Sequence, residues 1–240
     1  MAVFRRLVIA AVTAGALAGT VVSAVQQVTT VPLILEAERY EVEAGREHAH
    51  SHGESAPVHG HASHAAAEPG AGDHEPLNLE RLGFTVLANL LIGVAYALLL
   101  GAAWLLTGAP MDARRGLLWG AGGFVAFTLA PAIGLPPELP GMAAADLAAR
   151  QVWWLSAALC AGIGLLALAF ARNRLLILAG LALAALPHLV GAPHAPSYGS
   201  PPPELAARFA ALSIGVAALF WVILGAASGA MLRRLLPAQS

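Results

Sequence analysis

Six apolar segments constrain this chain more than any other feature. They cover roughly residues 3–25, 82–106, 117–135, 152–171, 175–190 and 209–232. A helix needs about 20 predominantly apolar residues to cross a bilayer. All of these runs except 175–190 reach or approach that length. The rest of the composition agrees, because charged residues make up 11% of the chain and its mean hydropathy is +0.70. A soluble domain carries roughly twice that charged fraction. We expect an all-α, polytopic membrane helix bundle of about six transmembrane helices, forming a single integral-membrane domain over residues 1–240.

The first segment has a second reading. Arg5 and Arg6 could be the n-region of a signal peptide, with Val22-Ser23-Ala24 as a weak cleavage site. Its apolar run of about 19 residues exceeds the usual 7–15 of a signal peptide, so a retained span is expected.

Arginine pairs predict the topology. Arg5/Arg6, Arg114/Arg115, Arg172/Arg174 and Arg233/Arg234 fall at alternate ends of successive spans. The positive-inside rule makes those ends cytoplasmic. Both termini are then inside, in a bacterial-type inner membrane. All the acidic residues except Asp112 fall in the opposite loops, and the histidines lie on or near that outer side. Such a face would concentrate a divalent cation, or its acids would simply keep the loops soluble. Net charge is near zero, lysine is absent and no basic stretch carries interleaved aromatics, so there is no nucleic-acid signal. The single cysteine, Cys160, has no partner for an intrachain disulfide and suits a small apolar packing role.

The one long loop, about 36–81, carries seven of the nine histidines: His48, His50, His52, His59, His61, His64 and His74. Its first part, 33–47, alternates acids with apolar residues and could extend the first helix. From about 48 to 76 the composition is that of a disordered segment. Neutral imidazole is a good ligand for zinc, copper, nickel and cobalt. Paired imidazoles on a soft chain reach one ion without imposing a geometry, which implies modest affinity and poor selectivity. An alanine-rich tether with incidental histidines is the plainer alternative.

Two proline-broken loops offer further ligands. Pro187-His188 leads through Gly191 and Pro193 to His194 at the outer end of the short fifth segment. Broken backbone at membrane depth is tolerated where it is buried or lines a cavity, and an ionisable residue there is a functional candidate. An interfacial histidine bonded to a loop carbonyl is the alternative. Glu138, Met142 and Asp146 occupy the matching loop after the third segment. Asp146 and Arg150, four apart, suggest a salt bridge at a helix start. The sequences after the third and fifth segments are alike: Pro136-Pro137-Glu138-Leu139 against Pro202-Pro203-Glu204-Leu205, each followed by an Ala-Ala-Arg start. Spans 3–4 and 5–6 are therefore candidates for a parallel hairpin repeat, although prolines at helix exits and acids at helix starts are common.

Asn89 and Thr128, deep in the second and third segments, suit interhelical hydrogen bonds, and Trp153, Trp154 and Trp221 suit packing or the membrane interface. Gly15 with Gly19, and Gly225 with Gly229, form small-xxx-small faces for close helix packing. No Walker loop, H-E-x-x-H motif or nucleophile elbow is present, so an enzyme is not expected, and ATP-driven transport would need a separate ATPase.

The stretch Leu129-Ala130-Pro131, with Gly134-Leu135-Pro136-Pro137-Glu138-Leu139-Pro140-Gly141-Met142, resembles the CbtA family. So do Asp146-Leu147, Arg150-Gln151, Trp153-Trp154, Leu186-Pro187-His188-Leu189 and Gly191-Ala192-Pro193, and more weakly the N-terminal Phe4-Arg5-Arg6 and 15–27. The similarity spans the chain except the histidine loop. It implies a cobalt-transporter subunit associated with cobalamin metabolism and paired with a CbtB-like small membrane subunit bearing its own histidines. It narrows the metal to Co²⁺ as the transported ion, where the residues alone left Ni²⁺ or Zn²⁺ open. No tightly bound cofactor is expected; membrane lipid and a homo-oligomer are. The expected function is cobalt uptake, with capture by the outer loop and passage near His188, His194 and Glu138. The alternative is a non-transporting scaffold or metal-sensing partner of a separate transporter.

Overall fold

Pro32 divides the N-terminal half of the chain. It cannot donate to the Val28 carbonyl, but it is tolerated in a first helical turn. Accordingly α1 (Ala2–Val28) ends at Val28 and α2 (Thr30–Ser51) restarts with Pro32 in its opening turn. A computed structural model describes residues 2–51, 79–108, 112–195, 197 and 199–235. Five more helices follow: α3 (Leu79–Thr107), α4 (Ala113–Gly134), α5 (Leu147–Phe170), α6 (Arg174–Val190) and α7 (Pro203–Leu235). The described residues contain no strand.

Five of these helices, α1, α3, α4, α5 and α7, are long and apolar enough to cross a membrane. The sixth apolar helix, α6, has 17 residues and is about 25 Å long at 1.5 Å per residue, short of a typical hydrocarbon core. The polytopic all-α bundle is thus as expected. Residues 48–51 form the last turn of α2. The expected disorder of 52–76 falls on residues outside the described ones.

The helix starts are locally encoded. Asp112 accepts a hydrogen bond from Arg115 N at 2.9 Å and caps α4. That backbone N–H, more than any other group, holds its carboxyl below the ordinary value. The cap's contribution is therefore complete above the ordinary carboxylate range and is lost as pH falls through the folded value. Asp146 accepts from Ala149 N at 2.9 Å at the start of α5, and Asn173 from Leu175 N at 2.9 Å at the start of α6. The last of the caps in chain order are electrostatic: α7 carries Glu204 in its first turn and Arg233 and Arg234 in its last, opposite in sign to the helix dipole at each end.

Small residues set the packing. Gly15 and Gly19 of α1 meet the α3 backbone at Gly93 and Asn89, where a Cβ on Gly19 would lie 2.6 Å from Asn89 O. Gly116 and Gly120 of α4 lie against Gly225, Gly229 and Trp221 of α7. Gly164 of α5 faces Gly180 of α6, where its Cβ would lie 2.6 Å from Gly180 O. Lipid offers apolar helices little hydrophobic reason to associate, so dispersion between closely approached backbones holds such a bundle. The central core joins α1, α3 and α7 through Ala18, Val22, Leu100, Val216, Trp221 and Leu224.

Helix α7 packs along α1 and α4, while α6 packs along α5. The two hairpins read as a possible repeat therefore do not pack alike: α5 leans on the middle of α4, whereas α6 makes its main packing with α5 and not with α7. Leu7, Ala10 and Leu232 share one cluster with Trp104, and the Phe170 ring lies tilted against Trp119 with centroids 6.1 Å apart. These contacts gather all four arginine pairs at one end of the bundle.

Candidate functional site

At the opposite end, the loops after α4 and α6 are tied together. Ser200 N and Ser200 Oγ both donate to Gly141 O, at 3.0 and 3.2 Å. Gly141 has φ +77°, a turn conformation costly for other residues, and a Cβ there would meet Ser200 Oγ at 2.8 Å. Beneath the loops, Leu33 and Ala37 of α2 pack with Leu139, Leu205 and Phe209. The amphipathic stretch 33–47 thus lies in a helix seated on the bundle through Leu33 and Ala37. Arg81 Nη2 pairs with Glu38 Oε1 at 2.5 Å and pins α2 to α3.

Trp153 organises the side of this end near α6. Its Nε1 donates to Pro187 O at 3.2 Å, and its ring meets His188 edge-on at 5.8 Å. Gly134 leaves room for the indole, since a Cβ there would lie 2.7 Å from Trp153 Cζ2. His188 Nδ1 is buried without a hydrogen-bond partner among the described residues. His194 lies exposed on the following loop.

Glu138 Oε2 accepts from Arg150 Nη2 at 2.7 Å, with both side chains partly buried. The expected Asp146–Arg150 pair is not formed. Asp146 faces the first-turn amides of α5, and the chain reversal at 138–146 brings Glu138 to the guanidinium instead. The ion pair sits in a groove of about 490 Å³ between α4 and α5, lined also by Phe127, Pro131, Pro137 and Trp154. Glu138→Leu is expected to cost on the order of 2 kcal/mol by stranding a partly buried arginine, and adding Arg150→Met to recover most of it. Thermal unfolding of the single and double variants checks this. A neutral single variant would mark the pair as solvent-screened.

Pro131 also explains a π-helical turn, Val125–Leu129, within α4. It lacks the N–H that would reach Phe127 O, and the ladder widens so that Ala130 N bonds Val125 O. The widened turn presents Thr128, whose Oγ1 accepts from Trp221 Nε1 at 3.1 Å. Asn89 donates from Nδ2 to Ser23 Oγ at 2.9 Å and to Gln26 Oε1 at 2.6 Å. Both residues make the interhelical bonds expected of them. Sequence reasoning missed that both also face one cavity of about 360 Å³, with Gln26, Thr30, Thr85 and Ser213. Nothing in a one-dimensional pattern places polar residues of four segments on one surface.

Among the described residues, no group of three or more His, Cys, Asp or Glu side chains is placed to hold one metal ion. His188, His194 and Glu138 are thus near the same end without forming a preassembled cage. His48 and His50 lie in the last turn of α2, with side chains outside the description, and His52, His59, His61, His64 and His74 fall outside the described residues altogether.

The family model described as "Probable cobalt transporter subunit (CbtA)" matches residues 4–233. No curated protein and no solved structure matches the chain.

Proposed function

The chain belongs to the CbtA family, and on that premise we propose that it is the membrane subunit of a cobalt uptake transporter, collecting Co²⁺ on its acidic, histidine-bearing face. The family match over nearly the whole chain carries this reading. That face is outermost in an inner membrane, with both termini cytoplasmic, because the arginine pairs gather at the other end. The loop histidines from His48 to His74 capture the ion. His188, whose buried Nδ1 has no partner among the described residues, and His194 mark the entrance to the path. Glu138 joins them only when Co²⁺ displaces Arg150, so loading and opening of that ion pair are one event.

A CbtB-like subunit with its own histidines is the expected partner, supplying Co²⁺ to a path held within this chain. A second reading makes the chain a scaffold or metal-sensing partner while another subunit conducts; the hold of Arg150 on Glu138, which keeps that carboxylate from a metal, favours it. Proteoliposomes containing this chain alone separate the two. Saturable Co²⁺ flux, exceeding that of Ni²⁺ and Zn²⁺, is expected of a transporter. Surface binding of Co²⁺ without flux would establish the scaffold.

A further inference from the structure

We propose that the cavity between α1, α3 and α7 is a binding site for a monovalent alkali cation, separate from the cobalt ligands. The cavity lies beside the α1–α2 junction and is floored by Tyr96, Phe220 and Trp221. Its polar lining comes from Gln26, Thr30, Thr85, Asn89, Thr128 and Ser213, with the Tyr96 hydroxyl.

The hydrogen bonds around it consume donors. Ser23 Oγ donates to Gly19 O at 2.8 Å, so it can only accept from Asn89, and this fixes the amide nitrogen of Asn89 on that side. The second Nδ2 proton goes to Gln26 Oε1. Asn89 is left with Oδ1 as an acceptor. Thr85 donates its hydroxyl to Arg81 O at 2.8 Å, and Trp221 gives its N–H to Thr128. Gln26 Nε2 and the Thr128, Ser213 and Tyr96 hydroxyls keep donors, but a hydroxyl can turn its proton away, so Asn89 Oδ1 and the hydroxyl oxygens of Thr85, Thr128 and Ser213 can be offered to a hard cation.

Charge then selects the ion. The residues lining the cavity include no Asp, Glu, His, Cys, Lys or Arg. The cost of desolvating an ion rises with the square of its charge. Neutral oxygens can offset that cost for a single charge, but a divalent ion at membrane depth requires carboxylates, and Co²⁺ also prefers imidazole nitrogen. An anion would find no cationic side chain in the lining. A proton would find no group that titrates near neutral pH. As the seat of a coupling ion the site rests on the transport reading; as a binding site it stands alone.

The test uses the full chain in nanodiscs without cobalt. Thermal unfolding is followed while NaCl or KCl replaces choline chloride at constant ionic strength. Na⁺ or K⁺ is expected to raise the midpoint saturably, by about 3 °C at tenfold excess over Kd. Thr85→Val and Ser213→Ala, each removing one oxygen with little change of volume, are expected to weaken the apparent affinity roughly tenfold. Superimposable curves in the three salts overturn the proposal. So does a rise that persists unchanged in both variants, since the ion then binds elsewhere. Neither result touches the cobalt measurement, which is made by flux.

Discussion

Gly225→Leu is expected to abolish the folded bundle in detergent, while Gly45→Ala and Gly83→Ala leave it intact. A Cβ on Gly225 would press on Gly116 O and lie 2.9 Å from Gly120 Cα. Both are backbone atoms, so no rotamer change relieves the clash. Helices α4 and α7 would have to separate, and α7 is also the partner of α1. Overpacking a core costs about 1–3 kcal/mol when side chains can shift; here they cannot, and the loss sits at the upper end or beyond. Gly45 and Gly83 have nothing within 4 Å of a built Cβ and serve as controls. Size-exclusion profiles and thermal unfolding read the difference. A monodisperse, wild-type-like Gly225→Leu protein would show that the α4–α7 contact does not hold the bundle together.

His188→Ala is expected to lower cobalt uptake on the order of tenfold or more, the scale on which groups that orient or supply metal ligands act. Deleting 48–75 should lower uptake only in part, and mainly at low Co²⁺ concentration, because a collector raises local supply without forming the path. Below about pH 6.5 the loop histidines become protonated and lose metal, so the wild type should lose its advantage over the deletion there. Uptake unchanged in His188→Ala would remove that residue from the pathway. The packing of Trp153 on Pro187 and His188 makes the variant's fold worth checking, and His188→Asn, which keeps a polar atom at the Nδ1 position, is the companion.

The comparison of Asp146 with Glu138 shows where linear reasoning stops. Both carboxylates precede the same arginine, and spacing favours Asp146, one helical turn away. The turn at 138–146 decides otherwise, because it releases Asp146 to cap α5 and carries Glu138 across to Arg150. The glycine faces were more legible: Gly15, Gly19, Gly225 and Gly229 repeat every four residues on one side of a helix, and all four stand at close helix contacts. Their partners were not legible, since Gly93, Gly116 and Gly120 belong to other segments.

What the sequence determined by itself is therefore local or compositional. Apolar runs of bilayer length dictate helices, Pro32 and Pro131 dictate where the helical ladder breaks or widens, and the arginine pairs dictate which ends lie together. Tertiary structure alone decided that α7 lies between α1 and α4, that Glu138 is held by Arg150, and that Gln26, Asn89, Thr128 and Ser213 share one cavity. The physical reason is the solvent. In lipid, a helix has no hydrophobic face that announces its neighbour, so partner choice rests on shape fit between whole surfaces and on a few polar bonds, which become definite only when the helices meet.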